Sequence, residues 1–118
     1  MSDRAVYVDV VTSGWSNADL DRLIEDVLVD AYRDSEQLGA FECVFAESGL
    51  PVDAEVLGLA CSLDSVEYDG DERRGLVANV SIAGQKRRVG LVEVRVTDQG
   101  HEAARLMAAF ERWWVPDG

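Results

Sequence analysis

Charge is spread so unevenly along this chain that any compact fold must first overcome its own repulsion. Residues 1–72 hold eighteen acidic side chains against three basic ones (Arg4, Arg22 and Arg33), a net of −15. Residues 73–118 hold five acidic and eight basic side chains, a net of +3, which completes the −12 of the whole. An N-terminal part of this kind packs only if its carboxylates stay solvated or if a cation sits among them.

The 118 residues, 47% hydrophobic, suffice for one domain with a modest core. No apolar run reaches membrane-spanning length, since Asp30 interrupts Val27-Leu28-Val29, so no membrane partner is expected. The start Met1-Ser2-Asp3-Arg4 lacks the pattern of a secretory signal, and the expected location is cytoplasmic. Cys43 and Cys61 lack the close spacing of zinc ligands and read as buried, reduced thiols. Phosphates would be repelled, which argues against nucleic acid as a partner.

Periodicity gives an α+β chain. Val6, Val8 and Val10 alternate with other residues over 1–15, suggesting a strand or extended arm. Ser16 with Asp19 reads as a helix start, and Leu20, Leu23, Ile24, Val27, Leu28 and Ala31 continue at helical spacing. One amphipathic helix is therefore expected over 16–39, with Gly39 as its terminator. From Phe41 to Val96 the chain reads as strands and turns, with hairpin signals at Asp69-Gly70 and Gly84-Gln85. Residues 40–97 are expected as a small barrel or a curled antiparallel sheet. Ala103, Leu106, Met107, Phe110 and Trp114 then place a closing helix over 98–115.

Asp26, Asp30 and Asp34 fall at i, i+4 and i+8, a like-charge stripe on the expected helix that costs a few tenths of a kcal/mol per pair. Glu36 follows near the expected helix end, where the macrodipole also disfavours negative charge. A calcium ion would relieve both penalties, because it takes six to eight oxygen ligands from carboxylates and free carbonyls. A solvated helix face is the alternative reading of the same stripe.

The segment Asp-Ala-Tyr-Arg-Asp-Ser-Glu-Gln at residues 30–37, after Val27-Leu28-Val29, resembles a helix of a family of small, acidic bacterial calcium-binding proteins, known best from cyanobacteria. The likeness runs through Phe41, Glu47, Leu50 and Pro51 to the segment Ala103–Trp114, and spans roughly residues 22–114. It implies calcium binding by Asp30, Asp34, Glu36 and Glu47, with Asp26 peripheral, and a helix preceding a small SH3-like barrel. Ser35 and Ser48-Gly49 depart from the family's more acidic pattern. Residues 1–15 have no counterpart.

The second acidic group, Asp64, Glu67, Asp69, Asp71 and Glu72, is not an EF-hand. Aligning Gly70 with the glycine of such a loop puts Ser65 and Leu76 where carboxylates are required. It reads as a solvated hairpin tip, with a looser second cation site as the alternative, and Arg73, Arg74, Lys86, Arg87 and Arg88 offset its charge. Of Trp113 and Trp114, one helix face can bury only one ring; the terminal ring is expected to cover the end of the barrel, with an exposed aromatic contacting a partner as the alternative reading. A single histidine, His101, and the lack of any phosphate loop or nucleophile motif give no foothold for catalysis. Two functions are carried forward. The first is a calcium buffer or sensor. The second is an acidic interaction module of the immunity, anti-restriction or DNA-mimic type, which captures a basic protein through its negative surface. An SH3-like adaptor with an aromatic groove is a third.

Overall fold

A computed structural model of the chain describes residues 15–114, so the Val-rich segment lies outside the described residues. Among the described residues, three α-helices, a short 3-10 helix (Leu91–Glu93) and a five-stranded antiparallel sheet form an α+β fold. The helices are α1 (Asn17–Val27), α2 (Asp34–Ala46) and α3 (Glu102–Trp114). The strands are β1 (Val52–Val56), β2 (Leu59–Glu67), β3 (Val77–Ile82), β4 (Gln85–Gly90) and β5 (Val94–Val96), in the order β4-β3-β2-β1-β5. Among the described residues the sheet does not close into a barrel: β4 and β5 each pair on one side only.

The capping box at the start of α1 is formed as the sequence predicts. Ser16 Oγ accepts from the Asp19 amide at 3.1 Å, and Asp19 Oδ2 accepts from the Ser16 amide at 3.4 Å. The expected single helix over 16–39, however, is two. α1 ends at Val27, the Leu28 amide closes it onto the Ile24 carbonyl at 3.0 Å, and a new helix begins at Asp34. Phe41–Phe45, expected in a strand, lies in α2. Leu38, Phe41 and Phe45 recur at i, i+3 and i+7, and all three are fully buried. Gly39 is therefore interior to a helix instead of ending one.

The sheet is built by tight turns and one long loop. Leu57-Gly58 joins β1 to β2, and Ala83-Gly84 joins β3 to β4. Both residues of each turn have positive φ, as a type I′ hairpin demands. Asp69-Gly70 makes no two-residue hairpin, because it lies within a nine-residue connection, Tyr68–Leu76, from β2 to β3. There Asp69 accepts from the Asp71 amide and Asp71 from the Arg73 amide, so these carboxylates hold the turn.

One sheet face carries Val52, Ala54, Val56, Leu63, Val66, Ala78, Val80, Val94 and Val96 into the core. α2 lies over β2, α3 lies beside β5, and α1 packs on α3. Phe41 and Phe110 meet edge-on at 5.3 Å, and Trp113 stacks on Phe41 at 5.1 Å. Trp114 stacks on Phe110 and lies over Gly75, where a Cβ would come within 2.8 Å of its ring. Both terminal tryptophans are thus half-buried in one aromatic stack. Cys43 is exposed and Cys61 half-buried, contrary to the expectation of two buried thiols.

Candidate functional site

The break between α1 and α2 organises the acidic surface. A continuous helix would align Asp26, Asp30 and Asp34; the turn at 28–33 removes that alignment. It also moves Glu36 from an expected helix end to the first turn of the next helix. Glu36 Oε1 accepts from the amides of Tyr32 at 3.2 Å and Arg33 at 3.0 Å, satisfying donors that the helix start would leave open. Asp34 and Glu36 now sit where the macrodipole favours negative charge. Both penalties that motivated a cation are thereby relieved by the backbone itself.

The four residues implied as calcium ligands do not form a common cage. Asp30 lies in the connecting turn, Asp34 and Glu36 in the first turn of α2, and Glu47 caps the far end of that helix. The thirteen-residue helix that begins at Asp34 lies between Asp30 and Glu47, putting about 20 Å between Asp34 and Glu47 at the usual rise per residue. Calcium–oxygen distances of about 2.3–2.6 Å cannot bridge such a span. Asp26 remains on α1, beside a small cleft lined also by Asp19, Arg22 and Arg105. Among the described residues, no three His, Cys, Asp or Glu side chains are grouped to hold a metal ion.

The turn instead displays side chains to solvent. Ala31 is buried and pins the turn, whereas Val29 and Tyr32 on either side are 67% and 81% exposed. Around them the charge is almost wholly uncompensated. Residues 22–54 carry eight carboxylates and two arginines, a net of −6. Glu25, Asp26, Asp30, Asp34, Glu47 and Asp53 enter no side-chain hydrogen bond or ion pair among the described residues. Glu42 is held differently, accepting from the Tyr68 amide at 2.8 Å.

The sheet side offers a contrast. Its outer face pairs Arg95 with Glu55 at 2.9 Å, Lys86 with Asp64 at 3.7 Å and Arg88 with Glu67 at 2.7 Å. Arg74 meets Asp69 at 2.8 Å. Arg74, Lys86 and Arg88 thus offset Asp69, Asp64 and Glu67 of the second acidic group, as the sequence suggests, whereas Arg73 and Arg87 form no ion pair with it among the described residues. Hydrogen bonds from Ser81 and Ser62 hold the Asp64 carboxyl below its ordinary value, with Lys86 adding to them. A bidentate pair, Asp21 with Arg112 at 2.7 and 3.2 Å, ties α1 to α3.

The chain was compared with protein-family models, curated proteins and solved structures, and none of the three gives a match. No helix among the described residues is long and apolar enough to cross a membrane. Tyr32 and Val29 are the residues that sequence reasoning missed. They belong to a run that the sequence reads as helical, and the chain leaves the helix after Val27. The signal available was the pair Val27 and Val29, β-branched residues that lose side-chain freedom in a helix, although Leu28 between them favours one.

Proposed function

We propose that this protein is a non-catalytic interaction module whose α1–turn–α2 surface captures a basic protein partner. The observation that carries this reading is the exposed Tyr32, with Val29, in a segment whose carboxylates Asp26, Asp30 and Asp34 form no ion pair among the described residues. Interfaces draw most of their energy from a few aromatic or arginine anchors, while surrounding charge steers encounter and sets specificity. Tyr32 supplies the anchor, and Asp26, Asp30 and Asp34 the steering field. Calcium binding through Asp30, Asp34, Glu36 and Glu47 together is the weaker reading, because it requires residues at both ends of α2 to act as one.

The test is capture of basic proteins from a cell extract on the immobilised chain, in parallel with Tyr32→Ala and with Asp30→Asn/Asp34→Asn. Retention should fall at least tenfold in the tyrosine variant, weaken in 0.5 M salt, and be the same in calcium and in chelator. Retention that needs calcium, or that ignores Tyr32, would contradict the proposal.

A further inference from the structure

His101, the chain's one histidine, ties two distant segments together through both of its ring nitrogens. Nε2 lies 3.0 Å from the Gly49 carbonyl, in the loop between α2 and β1. Nδ1 lies 3.0 Å from the Ala103 amide, in the first turn of α3. A carbonyl can only accept and an amide N–H can only donate. Nε2 must therefore carry the proton and Nδ1 must be bare, so the two contacts together select one neutral tautomer.

The ring also occupies a capping position. His101 immediately precedes α3, its carbonyl accepts from the Ala104 amide at 3.0 Å, and its Nδ1 accepts from the amide two residues on. Serine, threonine, aspartate or asparagine usually takes this place, and each remains an acceptor at neutral and mildly acid pH. Histidine ordinarily gains its second proton between pH 5 and 8. The imidazolium donates from both nitrogens, so protonation turns Nδ1 into a donor facing the Ala103 amide. The contact with Gly49 survives, because Nε2–H donates in either form.

The charged groups on the segments that meet at the ring are Glu47 after α2, Asp53 in β1, Asp98 in the turn before α3, and Glu102 with Arg105, which pair at 3.1 Å. Asp98 Oδ1 accepts from the Gly100 amide at 3.1 Å, and among the described residues only His101 accepts from the Ala103 amide. No second acceptor therefore stands by for Ala103 when Nδ1 is lost. The ring is half-buried, so solvent protons reach it.

We propose that His101 is a pH-sensitive latch between the loop after α2 and the start of α3. Neutral, it caps the first turn of α3 and holds it to Gly49. Protonated, it stays with Gly49 and releases the helix turn. The latch is closed at neutral pH and opens as pH falls through the histidine range. It is independent of Tyr32 and of the α1–α2 surface.

Long-range 1H–15N correlation on the labelled full chain reads the ring, and amide exchange corrected for intrinsic rates reads the helix turn. At pH 7.5 the ring should be the Nε2–H tautomer. Between pH 7.5 and 5.0, protection of the Ala103 amide should fall about fivefold, as loss of an N-cap would make it. His101→Asn keeps a side-chain acceptor that does not titrate, so its Ala103 protection should stay level over the same range. Glu111, whose carboxyl desolvation pushes up, stands at the other end of α3, and Glu111→Gln should leave the wild-type fall in place. The Nδ1–H tautomer at pH 7.5, an Ala103 amide indifferent to acid, or an equal fall in His101→Asn would overturn the proposal.

Discussion

Single carboxylates in this chain differ sharply in what they do, and their neighbours decide it. Glu36 closes the first turn of α2 by accepting from two amides, so Glu36→Ala should cost about 1 kcal/mol in denaturant unfolding, as loss of a helix cap does. Glu36→Gln keeps an acceptor and should lose less. Asp64 sits where the β2 ladder shifts register between Leu63 and Ser65, and its two oxygens accept from Ser62 and Ser81. Its folded-state pKa is lowered, so the stability it contributes is present above the unfolded value and lost as pH falls through the folded one. Asp64→Asn should therefore lower stability by roughly 1 kcal/mol at pH 7. Thermal melts of the two proteins should converge as the solution is acidified below the usual aspartate range near 3.9. A difference that persists unchanged at low pH would show that Asp64 acts through packing instead of charge.

At the scale of elements, α2 offers the sharpest test. Gly39 lies in its interior with no atom within 4 Å of where a Cβ would stand. Gly39→Ala should thus stabilise the protein by about 0.5–1 kcal/mol, through restricted backbone freedom in the unfolded chain and better helix propensity. Destabilisation in a urea titration would mean that the helix is not continuous there. Gly39 also shows why the sequence was only partly legible. A glycine after an apolar helical run is an ordinary stop signal, and the aromatic pair Phe41 and Phe45 suits a strand. What overrode both was burial: Leu38, Phe41 and Phe45 fill one face against β2 and α3, a tertiary condition that local pattern cannot display. The start of α1, the closing helix, the turn at Gly84 and the antiparallel sheet were all readable, because caps, helical spacing and turn chemistry are local. The break at 28–33, and with it Tyr32 and the dispersal of Asp30, Asp34, Glu36 and Glu47, was not. It depends on α2 turning back over the sheet.

For the whole molecule, the net charge of −12 acts as a distributed cost that salt relieves. Screening shortens from about 30 Å at 0.01 M to about 3 Å at 1 M salt. The melting temperature should therefore rise by several degrees from low to high sodium chloride, and Asp30→Asn/Asp34→Asn should reduce that rise. A melting temperature that falls with salt would mean that the ion pairs of the sheet face outweigh repulsion on the helical side. The central claim is that the carboxylates of the α1–α2 surface form an open recognition field and not a joint cation cage. Calorimetric titration of the full chain with calcium, with magnesium in parallel at equal ionic strength, tests it most directly. The account predicts weak heats that are alike for the two ions. Saturable, calcium-selective binding lost in both Asp30→Asn and Glu47→Gln would contradict it.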